Sequence, residues 1–205
     1  MIDLLEKLAK ENSIELSKQQ LEKFEIYLNM LLKWNKAYNL TSIRKKEDIV
    51  IKHFLDSLTL VKLFESKGID ISGKKVADFG SGAGFPGVPL KIYYQDLIDL
   101  YLIESITKKC IFLEMLSKEL KLKYTVLCKR AEEIQEKFDI VVSRATGETF
   151  EVLKIGKNLL VDGGIIVIMK GKEVEEELKP FTTSMFFKGL PERKFIVIQK
   201  DGKAQ

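Results

Sequence analysis

Four glycines crowd into eight residues, Gly80-Ser81-Gly82-Ala83-Gly84-Phe85-Pro86-Gly87, directly after the β-rich run 76–79. Glycine lets the backbone take positive φ and lets another molecule approach the main chain closely. A tight strand-to-helix turn needs one such residue, so four predict a ligand held against the backbone. In open α/β sheets, ligands collect at the carboxyl ends of strands, where this loop falls. The rest of the chain agrees with that sheet. Short apolar runs at 76–79, 100–103, 124–128, 139–142 and 165–169 alternate with helical stretches, clearest at 107–120 and 150–160. Strands alternating with helices predict βαβ units and a mostly parallel sheet covered on both faces. The tail differs: runs 181–187 and 194–198 flank Gly189-Leu190-Pro191-Glu192 and predict an antiparallel hairpin that ends the sheet.

Before the sheet, residues 1–68 predict an N-terminal helical segment packed on the α/β domain of 69–205, the two forming one compact unit. Ser17 and Gln20 form a capping-box pair, followed by Leu21, Phe24, Leu28, Leu31 and Leu32 at helical spacing. The stretch 39–42 reads as a loop. Val50, Phe54, Leu58 and Val61 form a second stripe, with Gly68 as its stop. A chain of 205 residues buries about 70% of its unfolded surface and needs neither disulfides nor a metal to fold. Cys110 and Cys128 make neither a staple framework nor a CxxC pair, and the one histidine, His53, has no cysteine nearby, so no metal site is expected. The start of the chain lacks a basic signal region, and no run approaches the ~18 apolar residues of a membrane span. The expectation is a soluble, reduced, cytoplasmic protein with no membrane partner. Its net charge of +4 permits a polyanionic partner without requiring one.

The ligand follows from the acids around the loop. Gly82-x-Gly84-x-x-Gly87 formally fits a dinucleotide fingerprint. However, Asp78 stands at the end of the preceding strand, where a carboxylate opposes a pyrophosphate and favours a cationic amino group. The pattern Asp78-x-Gly80-x-Gly82-x-Gly84 therefore resembles the first motif of class I S-adenosylmethionine (SAM) methyltransferases, whose Rossmann-like sheet it implies. Glu104 ends the second strand, where its two oxygens suit a pair of ribose hydroxyls. Ala131 and Glu132 follow the third strand, in the turn that meets the adenine edge in similar enzymes. Arg144 follows the fourth strand, beside the transferable methyl in this fold.

Taken together, the chain is similar to the glucose-inhibited division protein B family, the bacterial small-subunit ribosomal RNA guanine-N7 methyltransferases. The resemblance rests on Tyr38-Asn39-Leu40-Thr41, on Lys52-His53-Phe54-Leu55-Asp56-Ser57-Leu58, on the loop from Asp78 to Gly87, on Ser143-Arg144-Ala145 and on Met169-Lys170-Gly171. It implies SAM as methyl donor and, as acceptor and partner, a guanine in the decoding-region loop of 16S ribosomal RNA, free or within a small-subunit particle. Carried over by position, the cofactor contacts are Gly80, Phe85, Ala131, Glu132 and Arg144, with Glu104 as the ribose acid. The residues alone leave another RNA, a protein or a small molecule open as acceptor. Neither cysteine falls in the strand-four loop, where cytosine-C5 chemistry needs a nucleophile. Guanine N7 carries a free lone pair and needs no base, which suits an enzyme that works by aligning two reactants. Arg44-Lys45-Lys46, Lys108-Lys109, Lys129-Arg130 and Lys170-x-Lys172 are candidate phosphate contacts. His53 and Asp56, one helical turn apart, suit either a mutual hydrogen bond or an RNA contact.

Overall fold

The computed structural model describes residues 1–144, 147–171 and 173–201. Ala145 and Lys172, named above within candidate motifs, lie outside the described residues. The chain opens with α1 (Ile2–Glu11) and α2 (Lys18–Tyr38). The predicted capping box is formed: Ser17 Oγ accepts from the Gln20 amide at 3.1 Å, and Gln20 Oε1 accepts from the Ser17 amide at 2.8 Å. A continuous helical rod follows, made of α3 (Lys46–Ile49), a π-helical stretch (Val50–Leu55) and α4 (Asp56–Lys67). Gly68 ends it in the left-handed conformation, as the sequence predicts. The π stretch escapes sequence reading because its apolar spacing over one turn mimics an α-helix. Such stretches are rare and cluster at functional sites.

Seven strands form one sheet: β1 (Lys74–Phe79), β2 (Ile98–Ile103), β3 (Thr125–Leu127), β4 (Phe138–Ser143), β5 (Leu160–Lys170), β6 (Thr182–Met185) and β7 (Arg193–Gln199). Their order is β3-β2-β1-β4-β5-β7-β6. The first five are parallel, and β7 runs antiparallel to both β5 and β6. The hairpin of the tail is present, with its second arm inside the sheet and its first arm at the edge. β5 starts five residues earlier than predicted. Asp162-Gly163-Gly164 reads as a turn, yet the strand passes through it with a register irregularity opposite Phe138 and Ile140. Three helices complete the wrapping: α5 (Gly87–Tyr94), α6 (Thr107–Leu120) and α7 (Thr149–Asn158).

Alternate strand residues face opposite layers, because side chains in a strand have a period of two. Val76, Ile140, Val142, Val167 and Met169 join a cluster with Phe24, Tyr27, Phe54, Leu58, Val88 and Phe112 from the helices of one face. Ala77, Val141, Ile166 and Ile168 join Val152 and Leu153 of α7 on the other. The N-terminal helices thus share the core of the sheet's first face.

Two cysteines correct the sequence reading. Cys110 of α6 and Cys128, just after β3, are disulfide-bonded with Cα atoms 5.9 Å apart. Eighteen residues separate them in sequence, and only the packing of α6 over the edge strand brings them together. Among the described residues no helix is long and apolar enough to cross a membrane. Among those residues, no three His, Cys, Asp or Glu side chains stand together as metal ligands do.

Candidate functional site

The strand order reverses between β1 and β4, and the loops leaving these two strands diverge there. That is where doubly wound sheets open a crevice. Two hollows lie at this edge. One, of about 120 Å³, is bounded by Thr41, His53, Gly82, Phe85, Ser143 and Arg144, with Gly80 on its wall. The other, of about 260 Å³, is bounded by Glu104, Lys129, Arg130, Ala131 and Glu132, again with Gly80. Gly80 has a φ of +70°, and a Cβ added there would point into open space. A molecule crossing from one hollow to the other passes over bare backbone at that point.

The loop is held from below. Tyr27 of α2 donates from Oη to the Ala83 carbonyl at 2.6 Å. A Cβ on Gly84 would stand 2.5 Å from that same oxygen. Gly84 therefore serves close packing against α2 and borders neither hollow. Asp78 also borders neither: it is wholly buried, and its Oδ2 accepts from the Gly87 amide at the start of α5 at 2.8 Å. Its Oδ1 is buried without a hydrogen-bond partner among the described residues. Burial pushes the Asp78 carboxyl well above its usual range, against the pull of the Gly87 amide and Arg144. A cationic group beside Oδ1 would satisfy the orphan acceptor and bring its pKa back down. Glu104, at the end of β2, accepts from the Gly82 amide through Oε1 and from the Ile106 amide through Oε2, both at 2.8 Å. Each carboxylate oxygen still has a second lone pair for a ligand hydroxyl.

Phe85 stacks against His53 with centroids 4.2 Å apart and against Tyr27 at 5.2 Å. The Arg144 guanidinium lies over the Phe85 ring at 5.5 Å. His53 and Asp56 do not bond each other. Both meet Arg144, because the π stretch and the first turn of α4 turn them toward the loop after β4. Arg144 donates from Nη2 to His53 Nδ1 at 2.8 Å and from Nη1 to the Lys52 carbonyl at 2.9 Å. The same Nη1 lies 3.4 Å from Asp56 Oδ2. Arg193 of β7 grips Asp56 from the other side, with Nε 2.8 Å from Oδ1. Burial pushes the Asp56 carboxyl up, and the two guanidiniums pull it back.

Arginine has no acceptor, so His53 Nδ1 must accept and the ring proton sits on Nε2. Nε2 stands 2.9 Å from Thr41 Oγ1, which also accepts from the Ile43 amide at 3.2 Å. The Thr41 hydroxyl proton remains for an acceptor in the hollow. Burial, helped by the Arg144 charge, lowers the His53 pKa to about 3. His53 is a neutral, fixed spacer at ordinary pH.

Of the residues singled out in the sequence, Gly80, Gly82, Phe85 and Arg144 come together at the first hollow. Gly80, Glu104, Ala131 and Glu132 come together at the second. Asp78 and Gly84 support the loop between them. Tyr27 and Arg193 had no place in the sequence reading. Tyr27 lies on the α2 stripe, three residues after Phe24, a spacing that reads simply as core. Arg193 sits 137 residues from Asp56, and no local pattern links them. Among the basic candidates, Lys129 and Arg130 wall the second hollow. Lys170 is tied to Thr149 at 2.8 Å and lies 3.6 Å from Glu175.

Residues 20–204 match the family described as rRNA small subunit methyltransferase G, GidB. The chain belongs to this family. It is 51% identical over 174 residues to Ribosomal RNA small subunit methyltransferase G of Aquifex aeolicus (strain VF5), covering 85% of this chain and 87% of that protein. It is 37% identical to the Bacillus subtilis (strain 168) protein of the same name, covering 82% and 71%. Solved structures share the fold at lower identity. Magnesium protoporphyrin IX methyltransferase (ChlM) from Synechocystis PCC 6803, with bound SAM, has a TM-score of 0.60 at 15% identity, covering 91% of this chain and 98% of that one. A T. thermophilus 16S rRNA N2 methyltransferase in complex with AdoMet and guanosine has a TM-score of 0.54 at 21% identity, covering 71% and 43%. The resemblance read from the motifs therefore holds for this GidB-family chain, and its sheet is the class I methyltransferase sheet.

Proposed function

We propose that this chain transfers a methyl group from SAM to N7 of a guanine in the decoding-region loop of bacterial 16S ribosomal RNA. Family membership carries the coarser statement, a SAM-dependent enzyme that methylates small-subunit ribosomal RNA. The N7 position rests on one observation. His53, the titratable base at the first hollow, has its Nδ1 lone pair committed to Arg144 and a pKa of about 3. Such a hollow aligns reactants and accepts no proton at neutral pH, which suits an acceptor atom that already carries a free lone pair.

When bound, SAM supplies an electrophilic methyl group on a sulfonium centre. The chain's own residues would hold it as follows. The bare backbone at Gly80 and Gly82 cradles the amino-acid tail, and Asp78 beneath keeps that loop in shape through the Gly87 amide. Glu104 takes the ribose hydroxyls, and the turn at Ala131 and Glu132 borders the adenine. On the acceptor side, guanine presents N7 and O6 together on its major-groove edge. The Thr41 hydroxyl and the Arg144 guanidinium can donate to O6, leaving N7 free to attack. Asp56 and Arg193 balance and fix the Arg144 charge, so that a cation can stand beside a sulfonium. An enzyme acting on nascent ribosomal RNA works in the bacterial cytoplasm, and we assign this chain there.

The test is direct. The protein is incubated with methyl-labelled SAM and either free 16S RNA or small-subunit particles, and the RNA is then digested to nucleosides. Label in 7-methylguanosine is the expected result. Label on an exocyclic amine, on a ribose, or only on a protein or small-molecule acceptor overturns the reading.

A further inference from the structure

We propose that Cys110 and Cys128 form a thiol–disulfide exchange site that sets the affinity of the adjoining adenosine hollow. The inference rests on the reading of that hollow as the SAM site. The geometry comes first. β3 has three residues and forms the edge of the sheet, paired on one side through Thr125, Val126 and Leu127. The turn that follows it, Lys129 to Glu132, walls the second hollow opposite Glu104. Among the described residues, the backbone hydrogen bonds of this turn close locally: Lys129 to Leu127, Glu133 to Arg130 and Ile134 to Ala131. The burial of Ala131, 7% exposed, and the packing of Leu127 and Ile134 on the core tie its ends to the body, and the bond from Cys128 ties it to α6. The same α6 begins just after Glu104 and carries Cys110 in its first turns. The disulfide therefore links the two walls of one hollow.

The pair also has the features of an exchangeable one. Cys128 is exposed, whereas Cys110 is 5% exposed. An incoming thiolate can reach Cys128 Sγ and not Cys110. Lys129 and Arg130 follow Cys128 directly in the chain, and positive charge in this turn draws a thiolate toward it. Cys110 lies in the first turn of α6, whose amino-terminal end favours its departure as a thiolate. The reacting partner is a dithiol of low potential, either a small molecule or a protein. Its first thiolate attacks Cys128 Sγ, the S–S bond breaks, and Cys110 leaves as thiolate. Its second thiolate then attacks the mixed disulfide and releases Cys128. Two electrons pass to the protein and the partner departs as a disulfide. The reverse reaction with a small disulfide restores the bond and releases two thiols.

Reduction leaves the hollow's wall held by a three-residue edge strand and by the packing of Leu127, Ala131 and Ile134. If the binding-competent turn is then present about a fifth of the time, apparent affinity falls about fivefold. Calorimetric titration of S-adenosylhomocysteine into the oxidised and the dithiothreitol-reduced protein tests this, with thiol counting by mass spectrometry on both. The expected result is one disulfide before reduction, none after, and weaker binding in the reduced form. A Cys110→Ser, Cys128→Ser double variant should bind like the reduced protein and ignore dithiothreitol. Equal affinity in both states, or two free thiols in the air-oxidised protein, overturns the exchange site while leaving the cofactor site intact. Binding in neither state overturns the cofactor site, and the exchange site with it.

Discussion

At the scale of single residues, Arg144 makes the most connected set of contacts in the site. It joins the helical segment to the strand-four loop through His53, Asp56 and the Lys52 carbonyl. Arg144→Ala removes this positioning while Arg193 still balances Asp56. Methyl transfer should fall on the order of a hundredfold, the cost of small misplacement in an alignment-driven reaction, with the melting temperature little changed. Wild-type single-turnover rates in a folded Arg144→Ala protein would exclude it from the site. Arg144→Lys should not rescue, because an ammonium cannot reproduce the fork. Glu104 holds two loop amides, so Glu104→Ala should weaken S-adenosylhomocysteine binding by about 1.5–3 kcal/mol, read by calorimetry. His53 gives a stability signature. Its pKa is about 3 in the fold and near 6.5 when unfolded. The unfolded chain binds more protons between these values, so this contribution is full above about pH 6.5. It is lost as pH falls toward 3, at up to about 1.4 kcal/mol per unit. Asp56 and Asp78, both pushed up by burial, oppose it over part of that range. The imidazole is isolated by comparing urea midpoints of wild type and His53→Gln at pH 7 and pH 5. The wild type should lose more stability, and equal losses would remove His53 as the cause.

At the scale of elements, legibility in the sequence followed the range of the interaction. The glycine loop, the strand cores and the capping box at Ser17 are local patterns, and each appears where the sequence puts it. The five-residue extension of β5 was hidden because Gly163 and Gly164 look like a turn; Gly163 does take a positive φ of +82°, and the strand continues through it by bonds to Lys200 and by pairing with β4 on either side. The Arg193–Asp56 pair, the Tyr27 prop and the disulfide depend on tertiary contacts between remote segments. No residue spacing reports them. Asp78 was legible as a strand-end acid, but not its burial beneath the loop, nor its bond to Gly87. The Tyr27 prop yields a prediction at this scale. Tyr27 is fully buried and its hydroxyl serves the Ala83 carbonyl. Tyr27→Phe leaves that carbonyl unmatched and should cost about 1–3 kcal/mol in chemical denaturation. It should also weaken S-adenosylhomocysteine binding, because α2 steadies the loop from outside the hollows. A stability loss with unchanged affinity would make the prop purely structural.

The whole molecule bears on how the reaction responds to pH. The sequence contains one histidine, and the fold holds it near pKa 3. Its two cysteines are joined and carry no titratable thiol in the oxidised state. Burial pushes the Tyr94 and Tyr124 hydroxyls up, away from neutrality. Burial pushes the Asp78 carboxyl upward, and its buried Oδ1 has no partner among the described residues. Asp78 lies beneath the loop and borders neither hollow, so its carboxyl is not placed to take a proton from the acceptor. An N7 acceptor adds no proton to remove, since its lone pair is free across that range. Single-turnover methyl transfer by the oxidised protein, at saturating RNA and SAM, should therefore be nearly flat from about pH 6.5 to 8.5, where an unperturbed histidine base would otherwise show its titration. His53→Gln should leave the shape of that profile unchanged. A log-linear rise of slope near one, lost on changing one side chain, would mean that a proton leaves the acceptor. An amine or hydroxyl would then replace N7 as the methylated atom, while the family and the fold stood unchanged.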